Sequence, residues 1–134
     1  MLIVVPVTAL YAGLYALLLL ALAAQISRYR MNFKIRFGDG GNPELLRAIR
    51  AHGNAVEWIL PMLLLLLVAE LNHASRVFLH TCGIVFLAAR VAHAVGLSGN
   101  AGASGGRLLG TAVSWIVIGV LAVWDILAFV RTVI

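Results

Sequence analysis

Residues 42–71 read NPELLRAIRAHGNAVEWILPMLLLLLVAEL. The stretch opens as a helix opens. Asn42 is an N-cap, Pro43 sits at the first helical position where a missing N–H does no harm, and Glu44 places negative charge against the positive end of the helix dipole. Crossing the hydrocarbon core of a bilayer takes about 20 mostly apolar residues. The segment is long and apolar enough, and it predicts a membrane-spanning helix over 43–71.

Three further spans flank it. Residues 1–27 contain no Asp, Glu, Lys or Arg, and Pro6 suits an early helical turn, so a helix is expected over about 4–30. Ala21-Leu22-Ala23 would suit signal-peptide cleavage, but a positive leading region is missing and the apolar stretch far exceeds an ordinary signal core. The remaining helices are expected over about 75–96 and 106–132. Four helices on short links predict an all-α integral membrane protein, a four-transmembrane-helix bundle forming a single domain over 1–134. No internal repeat or low-complexity segment interrupts it.

Composition agrees. Of 134 residues, 63% are hydrophobic and 11% charged, and the mean hydropathy is +1.03. A soluble domain carries roughly a quarter charged residues, and a globule this small has too much surface to hide such an excess of apolar side chains. The single cysteine, Cys82, excludes a disulfide scaffold. Disorder is excluded by the same hydrophobicity. The net charge of +5 does not mark a nucleic-acid binder, because the basic residues lie between and at the ends of apolar spans.

Their distribution sets an expected topology. Arg28, Arg30, Lys34, Arg36, Arg47 and Arg50 cluster around the first link, whereas the opposite side holds Arg76 and Arg131. The positive-inside rule then puts the first link and the 98–106 link in the cytoplasm and both termini outside. For Arg30, Lys34 and Arg36, topology and contact with anionic lipid suffice as a reading.

Ionisable groups inside the spans are more informative, because each is costly in lipid unless it is paired or faces a cavity. Arg47, Arg50, Asn54, Glu57 and Pro61 are spaced 3, 4, 3 and 4. At 3.6 residues per turn they occupy one arc of about 80°. Pro61 also removes the hydrogen bond to the carbonyl of Glu57. Arg90 and His93 share a face of the third helix. Glu57 lies about 10 Å along its helix from Arg50, and Arg90 about 10 Å inward from Leu97. An ion pair between Glu57 and Arg90 is therefore feasible, and Arg107 can cap the same pocket from the start of the fourth helix. Interhelical glue is the plain alternative. Against it, four arginines (47, 50, 90 and 107) face one carboxylate, and the surplus calls for an anionic ligand. Asp125, near Arg131 and Arg76, reads as structural. His52, His73, His80 and His93 share no metal-ligand spacing, so no metal site is expected. The Gly-rich run 96–106 lacks the ending of a phosphate loop and reads as a connector.

The lead-in Gly38-Asp-Gly-Gly-Asn-Pro43, the core Arg50-Ala-His-x-Asn-x-x-Glu57 with Pro61, and Arg90-Val-Ala-His93 together resemble the signature of the MAPEG family (membrane-associated proteins in eicosanoid and glutathione metabolism), in its bacterial branch. The resemblance spans the chain. It implies a homotrimer of four-helix protomers in the bacterial inner membrane, with glutathione sites at subunit interfaces open to the cytoplasm. By position, Arg28, Arg50, Asn54, Glu57, Arg90 and His93 would bind glutathione as co-substrate, and Arg107 would be the catalytic residue that stabilises its thiolate. The implied activity is glutathione S-transferase chemistry on lipophilic electrophiles, with reduction of lipid hydroperoxides as a companion activity.

The charges suit that substrate. Guanidinium forks bind carboxylates bidentately, and a cation beside a thiol lowers its pKa from about 8.5. Glu57 would meet the ammonium or a backbone amide, with Ser104 or Thr111 as secondary donors to sulfur. The sequence departs from several eicosanoid-type relatives in placing Leu97 and Thr111 where they have tyrosines. A non-catalytic scaffold binding lipid or glutathione is the alternative. A transporter would show broken helices or repeats, which are not seen here.

Overall fold

The computed structural model describes residues 4–99 and 105–134. They form four helices: α1 Pro6–Phe33, α2 Pro43–Leu71, α3 Arg76–Gly99 and α4 Gly105–Val133. All four are long and apolar enough to cross a membrane. The chain is a multi-pass integral membrane protein with no strand among the described residues.

Each helix end has a local cause. Asn42 Oδ1 accepts the N–H groups of Glu44 and Leu45, both at 2.9 Å, which fixes the start of α2. No side chain near Val5 caps α1. Instead Glu70, at the far end of α2, accepts the N–H of Val7 at 2.9 Å and of Thr8 at 2.7 Å. A carboxylate on the positive end of a helix is favourable twice over, through the dipole and through two otherwise orphaned donors. The end of α1 runs three residues past the expected Arg30. Lys34 closes it in the left-handed conformation, φ 55°, donating its N–H to the carbonyls of Arg30 and Met31.

α1 packs on α2 and more lightly on α3, while α4 packs on α3 and α2. Consecutive helices are antiparallel, so the α1–α2 link, the end of α3 and the start of α4 share one end of the bundle. The core is a seam of Tyr15, Ile59, Met62, Leu66, Phe86 and Leu121. Two α1 tyrosines are anchored to α3 by their hydroxyls: Tyr15 donates to the carbonyl of Gly83 at 2.9 Å and Tyr11 to that of His80 at 3.0 Å. Gly83 is required there, since a Cβ would fall on the Tyr11 ring.

The tightest seam joins α3 and α4. A Cβ on Gly110 would lie 2.5 Å from the carbonyl oxygen of Ala89, and one on Gly106 3.1 Å from that of Ala92. Gly106, Gly110 and Ser114 recur every fourth residue, the small-residue spacing that lets helices approach closely in lipid. Outward faces are largely apolar, with Leu17, Leu60, Ile84 and Ile116 all exposed. Lipid or further protein must cover them.

Candidate functional site

The expected polar residues meet at the end of the bundle that holds the α1–α2 link. Arg50 and Asn54 of α2, His93 and Leu97 of α3, and Arg107 of α4 line one cleft of about 330 Å³. Three helices thus bring together two guanidinium groups, an imidazole and an amide, and no carboxylate lines the cleft. Leu97 carries no charge and so gives no polar signal in the sequence. Here it forms the apolar part of the wall.

Arg90 lies beneath this group and is 2% exposed. Its Nη1 donates to Asn54 Oδ1 at 2.8 Å and its Nη2 to the carbonyl of Gly110 at 2.9 Å. The guanidinium carbon stands 5.7 Å from the centre of the Phe86 ring, within cation–π range. Nε has no partner. Arg90 therefore ties α2 to α4 through α3 and fixes the amide that forms the cleft wall. Gly110 serves this junction through its carbonyl, which also accepts the Ser114 hydroxyl at 2.6 Å. The four-residue spacing of Gly106, Gly110 and Ser114 was the available signal for it.

The ion pair that similar depth made feasible between Glu57 and Arg90 is not formed. Asn54 takes the place of the carboxylate, and Glu57 is exposed. The cause is rotation about the helix axis rather than depth. The buried face of α2 centres on Ala51, Ala55, Ile59, Met62 and Leu66. At 100° per residue Asn54 lies about 100° from that centre and Glu57 about 160°. Glu57 points outward from the bundle. Arg28 is exposed on α1 and does not line the cleft either. Arg47 is half-buried and its Nε has no hydrogen-bond partner among the described residues.

Two further expectations meet local geometry. The Thr111 hydroxyl donates to the carbonyl of Arg107 at 2.9 Å, so its proton is already committed. Ser104 lies outside the described residues. Asp125 does not pair with Arg131 or Arg76, and both its carboxylate oxygens are buried without a hydrogen-bond partner among the described residues. Arg131 follows six residues later, about 120° round the helix, on an exposed face.

Comparison with known proteins places the chain. The profile of the MAPEG family matches residues 8–127. Inner membrane protein YecN of Escherichia coli strain K12 is 49% identical over 90 residues, covering 67% of this chain and 69% of YecN. The same protein from Escherichia coli O6:H1 strain CFT073 matches with the same identity and coverage.

Proposed function

The chain belongs to the MAPEG family, and on that premise we propose that it is a membrane-bound glutathione transferase of the bacterial inner membrane. It conjugates the glutathione thiolate to lipophilic electrophiles and also reduces lipid hydroperoxides. The observation that carries this reading is the cleft shared by Arg50, Asn54, His93 and Arg107, a cationic, acid-free recess set among apolar spans. Guanidinium groups gathered in a recess with no carboxylate in its wall favour an anion there. Glutathione brings two carboxylates on a soluble tripeptide.

In this reading Arg50 takes a substrate carboxylate through its planar fork, and His93 and Asn54 position the peptide backbone. Arg90, held by Asn54 and Gly110, keeps these groups in register from below. Arg107 faces the sulfur. A cation beside a thiol favours the thiolate, and the proton leaves to solvent. The sulfur lone pair then forms a C–S bond to an electrophilic carbon of a molecule dissolved in the bilayer. The carbon's leaving group departs with the electron pair, or a conjugated carbonyl accepts that pair and is protonated by water.

The outward direction of Glu57 and Arg28 supports a homotrimer. A carboxylate directed out of an apolar helix bundle needs a partner, and a second copy closing over the cleft would bring Glu57 and Arg28 to the same substrate. The cleft is assigned to the cytoplasmic side because the basic residues gather at its end of the bundle, with both termini outside. Leu97, in the cleft wall where several relatives carry tyrosine, favours a second reading as a non-catalytic glutathione- or lipid-binding scaffold.

One experiment separates the two. Glutathione added to the detergent-purified protein should produce the ultraviolet absorbance of a thiolate at neutral pH, and Arg107→Ala should abolish it. Binding that persists in both proteins with neither thiolate signal nor conjugation would establish the scaffold.

A further inference from the structure

A second cleft, of about 540 Å³, lies where α1 turns into its link to α2 and is lined by Arg30, Met31, Lys34, Ile35 and Arg36. The turn itself makes it. With Lys34 in the left-handed conformation the chain doubles back, and the N–H of Ile35 reaches the carbonyl of Arg30 at 3.1 Å. Arg30 Nη1 donates to the carbonyl of Gly38 at 2.9 Å and braces the returning segment. Three cations border the cleft and no carboxylate lines it. Asp39, the nearest acid in sequence, accepts the N–H of Gly41 instead.

Apolar side chains accompany these cations: Met31, which lines the cleft, is 71% exposed, and Phe37, next in sequence to Arg36, is 93% exposed. The elbow follows directly on a 28-residue apolar helix, so it sits at headgroup depth. Bulky apolar groups and cations side by side are unfavourable in water and suit the membrane interface, where one meets acyl chains and the other phosphates. We propose that this elbow is a binding site for the phosphate of an anionic phospholipid, with Lys34 and Arg36 contacting the phosphate and Met31 and Phe37 lying along the upper acyl chain. A free phosphate would use only the cationic half. The site is separate from the cleft of α2, α3 and α4, and it does not depend on glutathione chemistry.

Native mass spectrometry of the delipidated full chain in detergent tests it. The probes are phosphatidylglycerol and phosphatidylcholine of identical acyl chains, with inorganic phosphate as competitor. Phosphatidylglycerol should bind in preference, and millimolar phosphate should not displace it. Lys34→Asn with Arg36→Gln should weaken phosphatidylglycerol binding roughly 25-fold, about fivefold per cation removed at an anionic surface, and leave phosphatidylcholine unaffected. Asparagine tolerates the left-handed turn, so the elbow keeps its shape. Arg36→Gln alone should cost about fivefold, and Arg131→Gln at the other end of the bundle should change nothing. Equal binding of the two lipids, or undiminished phosphatidylglycerol binding in the double variant, would overturn the proposal. Displacement by phosphate would replace the lipid with a free anion.

Discussion

Gly110→Ala is the smallest change that strikes the centre of this architecture. The added Cβ would stand 2.5 Å from the Ala89 carbonyl oxygen and 2.8 Å from His93 Cβ, where ordinary contact begins at 3.4 Å. The obstruction on one side is backbone, which cannot swing aside, so α3 and α4 must part by about 0.9 Å. That separation strains the 2.9 Å hydrogen bond from Arg90 to the Gly110 carbonyl. Overpacking of this kind costs about 1–3 kcal/mol, and a weakened bond to a buried cation adds about 1.5–3 kcal/mol. The two effects share one displacement and will not add fully, so a loss of about 3–4 kcal/mol is expected. On the order of 10 °C in melting temperature follows. Cys82 provides the assay. It is the sole cysteine and is 6% exposed in the core, so a thiol-reactive fluorophore reports unfolding alone as temperature rises. Gly119→Ala is the matched control on the same helix, with no atom within 4 Å of the new Cβ, and it should melt at or above the wild-type temperature. If Gly110→Ala melted within about 2 °C of wild type, the α3–α4 seam described here would be wrong.

Two other substitutions probe neighbouring junctions. Asn54→Leu leaves Arg90 Nη1 buried without its acceptor and should cost about 3 kcal/mol by the same Cys82 assay, whereas Asn54→Asp restores an acceptor with opposite charge and should melt close to wild type. Glu70→Gln keeps one acceptor for the α1 N-terminus but loses the charge and sets an amide donor against the second N–H. The cost is about 1.4 kcal/mol, read as roughly tenfold faster hydrogen exchange at Val7 and Thr8 with the middle of α1 unchanged.

Legibility in the sequence followed physical lines. The start of α2 could be read to the residue because Asn42, Pro43 and Glu44 act locally. The end of α1 could not, because it rests on a lysine adopting a conformation usually left to glycine. Likewise α1 carries no cap of its own in sequence, and its partner Glu70 lies more than sixty residues away. Arg50, Asn54, His93 and Arg107 were recognisable as a group because charge inside a span is conspicuous and helical spacing shows what shares a face. The partner of Arg90 was not. Depth follows from counting residues, but rotation requires knowing which face meets protein, and in lipid both faces are leucine-rich. The small residues Ala48, Ala51 and Ala55 did mark that face, as close-packing positions rather than hydrophobic ones.

The most direct measurement is a calorimetric titration of glutathione into the purified wild-type protein and into Arg50→Ala. The wild type should release heat on a saturable isotherm at physiological ionic strength. Arg50→Ala should bind at least tenfold more weakly, as expected for loss of a charged hydrogen-bond donor worth about 1.5–3 kcal/mol. A wild-type isotherm indistinguishable from buffer, or equal affinity in the two proteins, would contradict the assignment of the cationic cleft to glutathione.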